Sequence, residues 1–293
     1  MLDFRIETFI TVCEFMNFTK AAHHLHITQP AVSQQIRYLE DYFGTELFYY
    51  HKRKLMLTDA GKEILAACIT FTNDQKKLMN HIKQLSHHTK KVVFGATLTI
   101  GEYILPAYLA DYTKKNKDLS FTFCIQDTSK LLKKLDKGDI DFAFIEGYFP
   151  KDRYDYISFS KERLLPICSS SHPILEKQDV KLKDLFALPL ILREKGSGTR
   201  DTLEHFLACE NSSIKDFKST IEVGGMEAIK TLVSLETGIT FLYESAISHE
   251  LHDKKLAIIP LQQHFDNEFS FIWRKDSIYS DEYTSFFHEL MPY

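Results

Sequence analysis

Apolar positions in the first sixty residues recur at helical spacing. Ile6, Phe9, Ile10, Cys13 and Met16 share one face of a helix over residues 2–16. Two short helical patterns follow, joined by the tight turn His26-Ile27. The first runs from Thr19 to Leu25, where Ala21 and Ala22 are small enough to admit a close helix. Thr28 is a good N-cap for the second, and Pro30 in its first turn forfeits no helical hydrogen bond. Val32, Ile36, Leu39 and Phe43 then form one buried stripe, and Gly44 is a natural stop. Residues 46–57 read as a two-stranded wing with Lys52, Arg53 and Lys54 at its tip. Thr58-Asp59 caps a long helix in which Ile64, Cys68, Phe71, Gln75, Leu78, Ile82 and Leu85 alternate steps of four and three. That spacing predicts a dimerising heptad seam about 40 Å long, with Gln75 its one polar member.

The period changes after the polar hinge SHHTKK at 86–91. Short β-rich runs begin at Val92, Phe121, Phe142, Leu164, Leu190, Thr220, Ile239, Ala257 and Phe269. Helical patterns lie between most of them: 102–115, 128–137, 199–209, 226–236, 246–254 and 280–290. Strands alternating with helices predict an α/β architecture with parallel sheets behind an all-α head.

Composition narrows the function. With 44% hydrophobic and 26% charged residues, the 293-residue chain is an ordinary globular protein of two or three domains. The N-terminus lacks a basic head and no apolar run reaches membrane-spanning length, which places the expected protein in the cytoplasm with no membrane partner. Five scattered cysteines, never as CxxC, argue against a disulfide framework or zinc site and read as small buried hydrophobes. The thirteen histidines show no ligand spacing. No metal or cofactor is expected. A net charge of −4 means that any nucleic-acid contact must rest on a local patch, for which His51-Lys52-Arg53-Lys54 qualifies.

Two constellations carry candidate chemistry. On the second short helix, Gln29, Ser33 and Arg37 lie on a polar face beside Pro30 and Gln34. Gln pairs with adenine and Arg with guanine, so this face suits the DNA major groove. An ordinary αα-hairpin with a solvated face fits the same spacing. In open α/β sheets, ligands bind beyond the carboxyl ends of strands. Three loops there combine hydroxyls or glycines with a helix start: 96–101, 194–200 and 223–226. They suit an anion, although plain helix capping explains such clusters as well.

The words FxxAAxxLxITQPAVSQQIxxLE, GxxLF and LTxAG, at Phe18–Glu40, Gly44–Phe48 and Leu57–Gly61, resemble the winged helix-turn-helix of the LysR-type transcriptional regulators. The resemblance extends over Lys91–Tyr293, which is similar to that family's effector domain, of a periplasmic-binding-protein type. It implies a DNA-binding domain at 1–58, a linker helix at 59–86 and an effector domain at 91–293. The last divides into subdomain I (91–161 plus 264–293) and subdomain II (162–263), joined by crossover strands. Thr28, Gln29, Pro30, Ser33, Gln34, Arg37, Lys52 and Arg53 would meet double-stranded DNA. Relatives usually carry Arg where this chain has Tyr50, so Lys52 or Arg53 would stand in. Thr97, Thr99, Ile100, Gly101, Glu146, Ser197, Gly198 and Thr199 would line an effector cleft, with Arg200 beside them. The implied function is a homodimeric or homotetrameric transcription regulator controlled by a small anion, with RNA polymerase a further partner. The word SGTR points weakly to sulfur or other anion metabolism. An enzyme on the same fold lacks a nucleophile–base pair or cofactor fingerprint here, and a solute-binding protein would need a signal sequence.

Overall fold

The structure is a computed structural model that describes residues 3–84, 90–117, 119–263 and 265–292. The head holds helices α1 (Phe4–Phe15), α2 (Phe18–Leu25) and α3 (Gln29–Phe43), then strands β1 (Phe48–His51) and β2 (Lys54–Leu57). Each helix starts on a side-chain cap: Asp3 accepts from the Arg5 N–H, Asn17 from Lys20 and Thr28 from Ala31. Phe9, Val12, Ala21, Val32, Ile36, Leu39, Leu47 and Cys68 close the core. Phe43 departs from the predicted stripe. It lies past the core, exposed and edge-on to Tyr42. The wing tip is also tighter than predicted. Lys54 belongs to β2 and pairs with His51, leaving Lys52 and Arg53 as a two-residue turn. Both have positive φ (47° and 66°), the twist that a type I′ hairpin requires.

Helix α4 (Asp59–Gln84) is continuous, but its seam divides. Ile64 and Cys68 pack into the head's own core. Phe71, Leu78 and Ile82 are exposed. Leu85 and most of the hinge, 86–89, lie outside the described residues. Another face of α4 docks on the effector domain. The Asn73 amide donates to the Leu135 carbonyl at 2.8 Å, and the Thr70 hydroxyl to that of Lys275 at 3.0 Å. Asp74 accepts from the Ser277 hydroxyl (2.6 Å) and the Ile278 N–H (3.0 Å). Beside this contact lies a cavity of about 410 Å³ lined by Asp74, Lys77, Asp141, Arg274 and Tyr283 among others.

The rest of the chain alternates strands and helices. It runs β3 (Lys90–Ala96), a π-helical turn (Ile100–Ile104) leading into α5 (Leu105–Lys115), β4 (Leu119–Ile125), α6 (Thr128–Lys137), β5 (Phe142–Glu146) and β6 (Tyr154–Ser169). The second lobe adds α7 (Leu182–Leu185), β7 (Pro189–Leu192), α8 (Gly198–Cys209), β8 (Ser219–Glu222), α9 (Met226–Ser234), β9 (Thr240–Tyr243), α10 (Ser248–His252) and β10 (Leu256–Ile258). The chain returns through β11 (Asp266–Arg274) and ends on α11 (Ser280–Leu290).

The main sheet has the order β10-β6-β11-β5-β3-β4, with β9 also on β6. Parallel pairing holds for β3 with β4 and β5, and for β7 with β8. The long strands differ from the predicted parallel pattern: β11 runs antiparallel to β5 and β6, and β9 and β10 antiparallel to β6. β6 is the element that joins the lobes. Its 16 residues span about 50 Å. Tyr154–Arg163 pair with β11 in the first lobe, and Leu164–Ser169 with β9 and β10 in the second. Only its apolar second half stood out in the sequence, because the first half alternates polar and apolar along a half-exposed strand. Stacked phenylalanines fill the first lobe, where Phe94 contacts Phe123, Phe142, Phe144 and Phe286. Ile191, Met226, Ile229, Val233 and Leu242 fill part of the second.

Candidate functional site

The first candidate site is the outward polar face of α3. Burial of Val32, Ile36 and Leu39 turns the opposite side of α3 outward. Gln29, Pro30, Gln34 and Arg37 are exposed, with Ser33 half-buried between them. The Gln29 amide donates to the Ser33 hydroxyl at 2.8 Å, so these side chains are mutually oriented. Thr28 spends its hydroxyl on the cap. Gln29, Ser33 and Arg37 share a groove with Tyr50 and Arg53 of the wing. Helix and wing therefore present one continuous polar surface. Lys52 is exposed at the adjacent turn position. Gln35, unassigned in the sequence, accepts from the Thr8 hydroxyl at 2.6 Å and ties α3 to α1.

The second site lies where the two lobes meet. β5 ends at Glu146, whose side chain is 1% exposed. Its Oε1 accepts from the Thr199 hydroxyl of the opposite lobe at 2.7 Å. Its backbone N–H donates to Thr97 Oγ1 at 3.2 Å. The lobes approach backbone to backbone here: a Cβ on Gly198 would overlap the Glu146 carbonyl oxygen, and one on Gly147 would sit 2.9 Å from the Gly198 Cα. Gly198 is thus a packing position. Five buried side-chain atoms in these loops have no hydrogen-bond partner: Thr99 Oγ1, Thr128 Oγ1, Glu146 Oε2, Arg193 Nη1 and Ser197 Oγ. Burial drives the Glu146 carboxyl up to about 7, against the opposing pull of the Thr99 hydroxyl, which is near it without closing a hydrogen bond, of the bonded Thr199 hydroxyl and of the Arg193 charge.

Two donors expected from the sequence are placed differently. The Gly101 N–H is already bonded to the Thr97 carbonyl at 2.8 Å, because the helix begins at Leu98 and not beyond Gly101. The Ile100 side chain packs into the core, and the donor expected there was its backbone N–H. Arg200 turns away from the cleft: it bonds Glu204 (2.7 Å), Glu222 (2.6 Å) and the Arg193 carbonyl (3.1 Å). The cysteine expectation also needs correction, since Cys209 is exposed. Arg193 and Thr128 were missed. Both follow strand carboxyl ends, so the rule for open α/β sheets could have found them. Arg193 sits 4% exposed, bonded to Glu194 at 2.8 Å by two nitrogens and 3.8 Å from Asp127. Among the described residues no group of three or more His, Cys, Asp or Glu could hold a metal, and no helix is long and apolar enough to cross a membrane.

The comparisons agree with this architecture. Residues 5–62 match the family described as bacterial regulatory helix-turn-helix protein, lysR family, and residues 86–291 match the LysR substrate binding domain. The chain belongs to the LysR family of transcriptional regulators: it binds DNA through its head and carries an effector-binding domain. It is 34% identical to an uncharacterised HTH-type transcriptional regulator of Methanocaldococcus jannaschii, covering 81% of this chain and 80% of that one. It is 32% identical to the HTH-type transcriptional activator CmpR of Synechocystis, over 89% of this chain and 86% of the relative. Among solved structures, a cysteine-to-serine mutant of OxyR from Corynebacterium glutamicum superimposes with a TM-score of 0.62 at 25% identity, covering 98% of this chain and 90% of that one. The CcmR regulatory domain of Synechocystis, in complex with 2-PG, gives 0.62 at 20% identity, over 69% of this chain and 95% of that domain.

Proposed function

We propose that the protein works in the cytoplasm as a homodimer, reading an interrupted palindrome, and that a small anion between the lobes repositions its DNA-binding heads. The cluster of buried, unpartnered donors contributed by both lobes carries the effector reading: Thr99, Ser197, Thr128 and Arg193. Buried polar groups normally find partners, so such a cluster marks a binding site. The ligands named with two neighbouring domains, 2-PG with CcmR and shikimate with QuiR, are in keeping with it. The exposed distal half of the α4 seam supports pairing of subunits. A dimer of dimers and contact with RNA polymerase extend the same reading.

DNA retention by variants tests the head. Arg37→Ala is expected to cost about 1–3 kcal/mol on the specific site, and Lys52→Ala to weaken all sequences alike and flatten the salt slope by about one. Equal, sequence-independent losses for the two would show that α3 does not read bases.

A further inference from the structure

We infer that the cleft takes up a proton together with its anion, and that Glu146 carries that proton. The inference rests on the anion reading above. Its ground is a charge conflict. Glu146 stands at the lobe contact, held by Thr97 in its own lobe and by Thr199 in the other. Its free oxygen, Oε2, is buried and unpartnered, as are the hydroxyls of Thr99 and Ser197.

The nearby charges are already matched. Arg193, beyond β7, is the cation acting on Glu146. It is opposed by Glu194 at 2.8 Å and by Asp127 at 3.8 Å. Asp127, at the start of α6, is bridged to Lys130 at 2.7 Å. From β9 comes Tyr243, whose ionisation burial and Glu146 both suppress. With Glu146 ionised, three carboxylates face two cations, and an entering anion would meet net negative charge at low dielectric.

Protonating Glu146 removes the conflict and changes the chemistry of its free oxygen. An ionised carboxyl only accepts, whereas a protonated one donates. Oε1 keeps the Thr199 bond, and the O–H on Oε2 is given to an oxygen of the anion. Solvent supplies the proton, one per anion bound. Burial outweighs the neighbouring hydroxyls and the Arg193 charge and brings the carboxyl to the edge of this state, up to about 7. The conventional alternative, an effector that donates to an ionised Glu146, predicts no proton uptake.

Calorimetry on the full-length protein tests this with sulfate, acetate and shikimate, whose own charge is constant from about pH 6 to about pH 9. The anion that binds should do so about tenfold more weakly for each pH unit above the Glu146 titration. Heats in buffers of different ionisation enthalpy should report uptake of one proton. The neutral mimic Glu146→Gln should bind without pH dependence, and more tightly than wild type at the alkaline end. Wild-type binding that is independent of pH and takes up no proton overturns the inference but leaves the anion site standing. A cation, methylammonium, that binds wild type and not Glu146→Gln also overturns it, because Glu146 would then act as an ionised acceptor. Failure of wild type and Glu146→Gln to bind any of the three anions anywhere in that pH range sinks the anion reading itself. The proton count needs no variant, so poor folding of Glu146→Gln cannot mask the answer.

Discussion

A methyl group on residue 198 would have to occupy the space of the Glu146 carbonyl oxygen. Gly198→Ala should therefore push the lobes apart. The expected cost is about 1–3 kcal/mol in chemical denaturation, with weaker effector binding. An unchanged midpoint would mean the lobes separate freely. Glu146 makes a second residue-scale prediction. Its carboxyl rises from 4.5 to about 7 in the fold. Between those values the folded chain holds a proton that the unfolded chain releases, so stability is greatest at the acid end and falls as pH climbs through that window. Denaturation midpoints across the window should show that slope in wild type and lose it in Glu146→Gln. Neither effect was visible in the sequence. Glu146 could be placed near the cleft, but its burial comes from the opposite lobe, where its partner Thr199 lies 53 positions further along the chain.

Individual elements were more legible, because their signals are local. α6 and α11 occupy their predicted ranges, and both wing strands fall within the predicted 46–57. Helix α4 shows the limit. One uninterrupted heptad spacing serves two partners, the head's own core for Ile64 and Cys68 and solvent-facing surface for Phe71, Leu78 and Ile82. A hydrophobic period states that a face is buried somewhere, without naming what covers it. If the exposed half meets a second subunit, Leu78→Asp should shift sedimentation toward monomers, since a charge on a dry seam is costly. The thermal stability of an isolated subunit should hardly change, because Leu78 is 45% exposed there. A dimer of unaltered strength would place the subunit contact elsewhere.

At the scale of the molecule, two junctions organise the chain. One is β6, which passes from lobe to lobe. The other is the docking of α4 on the first lobe, made largely of polar contacts to backbone groups around Leu135, Lys275 and Ile278. Asp74 is its centre. Asp74→Ala leaves the Ile278 N–H without its acceptor, at an expected cost of about 1–3 kcal/mol. Hydrogen exchange should quicken around residues 275–279 and along the middle of α4. Unaltered exchange there would show that the docking does not depend on this carboxylate.

The head, the start of the linker helix, the alternation of strands and helices, and the outward polar face of α3 were legible in the chain. Those features depend on caps, periodicity and turn residues a few positions apart, such as Thr28 capping Ala31 or Gln29 bonding Ser33. Only the tertiary structure decided which strands run antiparallel, that Arg200 faces away from the cleft while Arg193 lines it, and that Gly101 has no free N–H to offer. Those outcomes depend on groups brought together by the return of β11 and the closing of one lobe on the other. Glu146 and Thr199 meet across that closure, where desolvation gives a carboxyl properties that no local pattern encodes.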